Sequence, residues 1–404
     1  MTTMPLWSLA DIRTSNVDKK SKEGEPAVRL VNYTDVYYHQ RITPDLEFMN
    51  ATASPEHIAR FRVRPDDVII TKDSEAPNDI GIPAIVTEAD ADMVCAYHLS
   101  LLRPDSKRTD ARFLYWVLES EIAKQHWLTS SFGVTRYSIL SGTIARLGVP
   151  AHDLDTQKRI ADYLDRETGE IDAMLARMDE LTATLEARRV SSIRRATQFA
   201  ADGRRWNTVP TAHLFGSIGS GTTPKDQSHY TESPDGVPWV TTSELRESLI
   251  TETSKRVTPD AIANVSSLRV HSAGAVVIAM YGATIGRLGT LGVDATMNQA
   301  CCAFSDPQGV DLRYFYYTLW GQRDDIILLA VGGGQPNISQ TMLRRWRVPS
   351  PPVAEQTRIA DHLDEVTGKI DQMLAKTAEL KSLLIERRSA LITDVVTGKK
   401  QVHS

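Results

Sequence analysis

The chain has 404 residues, 41% hydrophobic and 24% charged, a balance that fits a globular protein of two or three domains. No run of 18 apolar residues occurs, so no membrane span is expected, and the start MTTMPLWSLADIR lacks the basic and apolar segments of a secretory signal. A net charge of −5 with no basic excess in either globular stretch means that DNA binding would need basic side chains gathered on one surface, or a partner supplying phosphate attraction. Cys95, Cys301 and Cys302 form no CxxC pair and no disulfide framework, which points to a reducing, cytoplasmic setting.

In chain order, residues 1–151 read as a first globular segment. FRVRPDDVIITKD (61–73) and MVCAYHLSLL (93–102) are β-rich runs, and DARFLYWVLESEIAKQHWL (110–128) has the periodicity of one amphipathic helix. Residues 152–205 form a helical spacer. Residues 206–350 repeat the order, with strand-like runs VPWVTTSEL (237–245), LRVHSAGAVVIAM (268–280) and MNQACCAFSD (297–306), then a helix at 311–330. Residues 351–404 are a second helical spacer. The expected fold is α+β: two heads with twisted mixed sheets, separated by two long helices packed as an antiparallel coiled coil with pseudo-two-fold symmetry.

The spacers carry the clearest signal. QKRIADYLDRETGEIDAMLA from Gln157 recurs as QTRIADHLDEVTGKIDQMLA from Gln356, at an offset of 199. The same offset relates Val149-Pro150 to Val348-Pro349, Arg188-Arg189 to Arg387-Arg388, and Trp7 to Trp206, whereas register is lost in the middles of the heads. Such a period marks duplication of a whole head plus helix. Ile160, Leu164, Ile171, Met174, Met178, Leu181 and Leu185 step by threes and fours, as do Ile359, Leu363, Val366, Ile370, Met373, Leu380 and Leu384. Asp155 is the expected cap of the first helix. Thr168-Gly169 and Thr367-Gly368 are expected to kink or break each helix, and ~40 residues would span roughly 60 Å. Two like seams can pair within one chain, holding two heads apart and presenting one outer surface twice.

Three loops of the second head invite a ligand. IGSGTTPKDQSHY (218–230) offers hydroxyls and Lys225 to phosphates. YGATIGRLG (281–289) lacks the GKS/GKT ending of a P-loop and reads as a turn. VGGGQPNIS (331–339) carries Gln335 and Asn337, whose amides can bind adenine bidentately in a major groove. The aligned tip of the first head is Arg136-Tyr137-Ser138, a swap that two readers of different sequences would need. Catalytic tools are missing: the ten histidines make no HExxH or HxH pattern, no GxSxG elbow occurs, and the single Pro-Pro (351–352) is no methyltransferase motif. Glu379-Leu380-Lys381 sits on a helical seam. No metal ligands and no catalytic residues are expected.

These residues together resemble the specificity (S) subunit of a Type I restriction–modification system. The resemblance spans essentially the whole chain and is strongest in VPSPPVAEQTRIADHLDEVTGKIDQMLA and the trailing ERRSALITDVVTGK, and weaker in GATIGRLGTL and GGGQPNIS. The first copy departs from it: AHDLDTQKRIADYL lacks the Pro-Pro, and the first head has no recognisable GATIGR or GQPNI loop. The resemblance implies a non-catalytic subunit whose heads each read half of a bipartite, asymmetric double-stranded DNA site, the helices fixing the unread gap. It also implies two methyltransferase subunits docked on the helices, with S-adenosylmethionine bound there and no cofactor in this chain, and a restriction subunit able to join. The candidate DNA contacts are Lys72, Arg136, Tyr137, Ser138, Thr222, Thr223, Lys225, Tyr281, Thr284, Gln335 and Asn337. The candidate partner surface is the repeated set Gln157, Arg159, Asp162 and Asp165 with Gln356, Arg358, Asp361 and Asp364. The rival expectation is a coiled-coil assembly protein without DNA readout.

Overall fold

The structure, a computed structural model, describes residues 2–330 and 337–402. It divides into two compact units, Met1–Asp179 with Ala378–Ser404, and Glu180–Thr377. Each unit holds one head with stretches of both long helices, so compactness divides the chain inside the helices.

In the first unit a five-stranded sheet runs in the order Ala10–Thr14, Leu99–Pro104, Val68–Thr71, Pro83–Val86, Arg41–Ile42, antiparallel except for its last pair. A smaller sheet joins Met49–Thr52, Ala27–Val31 and Met93–Cys95. The unbroken apolar run VIIT follows from burial on both faces. Val68 and Ile70 enter a core with the helix Ala111–Glu119, whereas Ile69 enters the core of the smaller sheet. The second unit repeats this plan in Phe215–Ser220, Cys301–Pro307, Val276–Ala279, Leu288–Leu291 and Ser248–Ile250, with Val276 and Ile278 in one core and Val277 in another.

Several expected elements are subdivided. The runs 93–102 and 297–306 each form two strands in different sheets, because the chain turns at 96–98 and 298–300. In the run 61–73 the main strand is Val68–Thr71, Asp73 opening a two-residue strand with Ser74 and Phe61 ending a short helix. The head helix breaks at Ser120 into Ala111–Glu119 and Glu121–Ser130, where the Ser120 hydroxyl folds back onto the Val117 carbonyl at 2.6 Å. Its counterpart breaks at Gln322 into Leu312–Gly321 and Arg323–Leu328.

Backbone hydrogen bonds identify equivalent positions where sequence identity is absent. In the first head Lys72 N donates to His98 O at 2.9 Å and Ile139 N to Lys72 O at 2.8 Å; in the second, Met280 N donates to Ala300 O and Ile338 N to Met280 O, both at 2.8 Å. Hence Asp73 corresponds to Tyr281 and Ser138 to Asn337. Gly81 N bonds Thr71 O as Gly286 N bonds Ala279 O. Both glycines have φ near +76°, and a β-carbon would strike the Trp127 ring at one and Ile327 at the other. The first head therefore does hold a counterpart of the GATIGR loop, in SEAPNDIGI (74–82), lengthened by three residues. Thr3–Pro5 pairs Gly148–Pro150 as Thr208–Pro210 pairs Arg347–Pro349, so Trp7 corresponds to Ala212 and not to Trp206.

The long helices, Leu154–Gln198 and Val353–Val396, are continuous, without the expected breaks. Thr168 and Thr367 are buried on the seam, their hydroxyls satisfied by the Leu164 and Leu363 carbonyls at 2.5 and 2.7 Å, and nothing crowds Gly169 or Gly368. Leu164, Thr168 and Ile171, and Leu363, Thr367, Ile370, Thr377 and Leu384, are the buried positions, several of them covered by the heads, as where the Tyr317 hydroxyl lies 3.1 Å from that of Thr367. Met174, Leu181, Met373 and Leu380, expected on the seam, are instead exposed. Asp153, not Asp155, caps the first helix, accepting from Thr156 N at 2.9 Å.

Antiparallel packing is explicit in each unit. In the first, Arg388 Nε meets Asp172 at 2.9 Å and Lys381 meets Asp179; in the second, Arg189 meets Asp371 at 3.0 Å. Arg388 also lies over the Trp116 ring and 3.9 Å from Glu119, whose carboxyl burial pushes up against the opposing pull of Lys124 and Arg388. Arg388→Ala would leave Glu119 buried and without its arginine, and should cost about 3 kcal/mol, whereas Lys381→Ala, at an exposed pair, should cost under ~1 kcal/mol. Urea unfolding of both variants measures the difference.

Candidate nucleic-acid interface

In the first head a hairpin closes between Phe132 and Ser138, which exchange backbone hydrogen bonds at 3.2 and 2.9 Å. Gly133 turns it at φ +140°, where a β-carbon would collide with the Arg136 carbonyl. The tip thereby exposes Phe132, Val134 and Arg136. Tyr137 and Ser138 pair with Ser74 and Asp73 in a separate two-stranded sheet. There the Asp73 carboxylate, almost wholly buried, accepts from Lys72 Nζ at 2.7 Å, from the Ser138 hydroxyl and from His98 Nδ1 at 2.5 Å. Burial pushes the Asp73 carboxyl up, but the bonds from Lys72, Ser138 and His98 outweigh it and hold it at about 2. His98 is shifted down, first by burial and further by Arg136 and Lys72, against the bond from Asp73. Arg136 Nη2 lies over the His98 ring, 3.0 Å from Nε2 and 3.1 Å from Nδ1. Ser15, Asn16, Asp18 and Tyr97 complete the walls of an open cavity of about 610 Å³.

The equivalent joint of the second head is built from amides and hydroxyls. Tyr281 forms a bridge with Asn337, which is exposed, and the Tyr281 side chain, raised by burial, is bonded to Gln299. Gln299 Oε1 accepts from the Thr223 hydroxyl. The loop bearing Thr222, Thr223 and Lys225 is pinned by Thr222 N to Met297 O at 3.0 Å, Trp239 Nε1 to Thr222 O at 3.1 Å, and Tyr230 Oη to Pro224 O at 3.3 Å. Gly221 allows the approach, since a β-carbon there would meet the Met297 carbonyl. Lys225 projects into solvent, and Thr284 lies in the Gly282–Arg287 turn beside this joint. Gln335 lies outside the described residues.

Lys72, Arg136, Tyr137 and Ser138 are thus gathered at one place, and Thr222, Thr223, Tyr281 and Asn337 at another. Sequence reasoning missed Asp73, His98 and Gln299. Their signal was positional: each stands at a turn where the chain changes sheet, which no local periodicity marks.

The repeated helical residues mostly face their own heads. Gln157 is buried, its Oε1 accepting from Asp110 N at 2.8 Å and Thr109 Oγ1 at 3.1 Å while Nε2 donates to His152 O at 2.8 Å. Gln356 likewise accepts from Asp311 N and donates to Pro351 O, both at 2.8 Å. Asp162 and Asp165 hold Arg112, and Asp165 also takes the Trp116 indole N–H; Asp361 and Asp364 hold Arg313, and Asp364 takes the Tyr317 hydroxyl. Arg159 and Arg358 are exposed, bonded to Thr156 and Glu355. The repetition of glutamines and aspartates is explained within the chain, as the joint that seats each head on its helix.

A family model for the Type I restriction modification DNA specificity domain matches residues 4–183 and again 204–382, and the chain belongs to that family, as a specificity subunit with two target-recognition domains. It is similar to the Type I restriction enzyme EcoR124I/EcoR124II specificity subunit of Escherichia coli, 25% identical over 69% of each chain. It is also similar to the EcoBI specificity subunit of Escherichia coli, 28% identical over 26% of this chain and 22% of that one. Its fold matches a chain from work on complex assembly and conformational transition of the type I R-M system, with TM-score 0.80, 16% identity and 98% of each chain covered. The HsdS subunit from Thermoanaerobacter tengcongensis matches with TM-score 0.56 and 17% identity over 98% of this chain and 97% of that one.

The Asp73 carboxyl sits at about 2 in the folded head against an ordinary 3.8, so its contribution to stability is present above about pH 4 and is lost as pH falls through 2. Asp73→Asn should therefore destabilise the protein by about 2 kcal/mol at neutral pH, the gap to wild type closing between about pH 4 and 2. Urea unfolding across that range checks the sign.

Proposed function

We propose that this chain is the non-catalytic recognition subunit of a Type I restriction–modification complex, each head reading one half of a bipartite, asymmetric site in double-stranded DNA. The observation that carries this reading is the equivalence of the two joints: the same backbone hydrogen bonds frame Asp73, Ser138 and His98 in one head and Tyr281, Asn337 and Ala300 in the other. A conserved frame with exchanged side chains is what two readers of unlike sequences require. Polar side chains at such tips can meet base edges, and Lys225 and Lys72 phosphates. The candidate contacts remain Lys72, Arg136, Tyr137, Ser138, Thr222, Thr223, Lys225, Tyr281, Thr284, Gln335 and Asn337.

Two methyltransferase subunits, carrying S-adenosylmethionine, dock on the long helices, and a restriction subunit can join them. The exposed pair Met174 and Leu181, repeated as Met373 and Leu380, supports docking at duplicated apolar positions, with Arg159 and Arg358 exposed on the same repeats. The helices set the unread gap between half-sites, and partner subunits supply phosphate contacts that a chain of net charge −5 lacks. Among the described residues no helix is long and apolar enough to cross a membrane, and the proposed complex acts on DNA in the cytoplasm.

Co-expression with the candidate methyltransferase, followed by single-molecule sequencing of modified adenines, tests the reading. A bipartite methylated motif that depends on this chain is the expected result; a stable complex with no new motif would favour an assembly protein without DNA readout. Asn337→Ala should relax methylation specificity in one half-site by roughly 5- to 150-fold while leaving complex assembly unchanged. Unaltered methylation at every site would remove Asn337 from the contacts.

A further inference from the structure

We propose that Arg136 reads a guanine in the half-site of the first head, and that His98, itself held by Asp73, is the positioning residue that aims it. This rests on the DNA-recognition reading above. The exposed guanidinium stands on a hairpin tip beside Val134, the most exposed large apolar side chain of the head, and Phe132. An arginine presenting two parallel N–H groups matches the N7 and O6 acceptors of guanine in the major groove, and an adjoining apolar side chain suits a thymine methyl. Long arginine side chains ordinarily lose rotamer freedom to make such a contact. Here the guanidinium already rests on the face of the His98 ring, its Nη2 3.0 Å from Nε2 and 3.1 Å from Nδ1.

The tautomer follows from the partners. His98 Nδ1 faces the Asp73 carboxylate at 2.5 Å and carries the proton that bonds it, while Arg136 Nη2 lies 3.1 Å from Nδ1 and 3.0 Å from Nε2, and so over the face of the ring. Asp73 is fixed in turn by Lys72 and Ser138. His98 itself stands at φ +70°, a conformation that a branched or bulky residue adopts only at a cost, with its ring 3.9 Å from that of Tyr97. The relay therefore runs from a buried anion through a neutral imidazole to an exposed cation. In the second head the places of Asp73 and His98 are taken by Tyr281 and Ala300, so among the described residues no such relay is formed there.

Protonation of His98 would set two cations against each other. The charged groups around the ring are Asp73, Lys72 and Arg136, with Asp18 on the cavity wall and Lys19 over Tyr97; Asp73, held at about 2, stays ionised throughout. Burial shifts His98 down, which favours the neutral imidazole. Reading by the first head should therefore weaken as the solution is acidified, with the second head unaffected.

The test uses the assembled complex with its methyltransferase and duplexes carrying the methylated motif, in which each guanine is replaced in turn by 7-deazaguanine, which lacks the N7 acceptor. One replacement in one half-site should weaken wild-type binding by roughly 5- to 150-fold, and the same replacement should have no effect on Arg136→Ala. Arg136→Lys should behave like Arg136→Ala, since a point charge lacks the fork. His98→Asn, tolerated at positive φ, should leave assembly and second-half-site discrimination intact while abolishing the pH dependence of the first. A half-site without guanine, a replacement effect that survives in Arg136→Ala, or a uniform loss of affinity for all duplexes would overturn the assignment and make Arg136 a phosphate contact. Absence of any methylated motif with the wild-type chain would instead overturn the recognition function itself.

Discussion

A buried primary amide at the start of each long helix is the constraint on which both heads depend. Gln157 and Gln356 each satisfy a main-chain N–H at the start of a head helix and a carbonyl just before their own helix. No other side chain of that length offers a donor and an acceptor together without charge. A charged replacement would bury an ion, and an apolar one would orphan a buried backbone N–H at Asp110 or Asp311, a group that costs about 1–3 kcal/mol when unpaired. One turn further on, Arg112 and Arg313 are clasped by pairs of aspartates, and the seat is completed by an indole N–H in one copy and a phenol in the other. Near-identity of the two helical copies thus follows from a joint that tolerates little change, before any partner is considered.

The heads obey a different rule. Their cores need only apolar volume on both faces of a central strand, which VIIT and VVIA supply equally well. Their tips need a fixed backbone frame but no fixed side chain. The positive-φ glycines Gly81 and Gly286, each pressed against a helix side chain, hold the frame, and between them and the tip residue the chain is free to vary in length and chemistry. A scaffold divided in this way can acquire new readers without disturbing its seat.

The same division explains what could be read directly from the sequence. The duplication, the helices and the α+β heads were legible because heptad spacing and repeated motifs are local signals. The breaks expected at Thr168-Gly169 and Thr367-Gly368 were not made, since a threonine hydroxyl can bond the carbonyl one turn back and remain on a buried seam. Met174 and Leu181 fit the period of a seam yet lie off it, because threonines share that period unseen by a count of apolar residues. The site was half legible. Arg136 and Asn337 stood on loops of suggestive composition, whereas Asp73, His98 and Gln299 come to the tips through strand pairing between distant segments, and the three extra residues in the first head's loop erased the register that would have matched them.

The two units also differ in how the chain completes them. Glu180–Thr377 is contiguous, whereas the unit containing the first head needs Ala378 onward: Ile392, Val395 and Val396 enter its core, Thr393 accepts from Glu121 N at 3.1 Å, and His152 Nε2 lies 3.1 Å from Val396 O. On a ribosome the head made first is therefore the one finished last. It waits for a segment about 200 residues downstream, roughly 10–40 s of synthesis at 5–20 residues per second. Through that interval the core of the first head lacks Ile392, Val395 and Val396, while the second head already has all of its parts. Nascent-chain quality control would thus bear unequally on two halves that evolved from one.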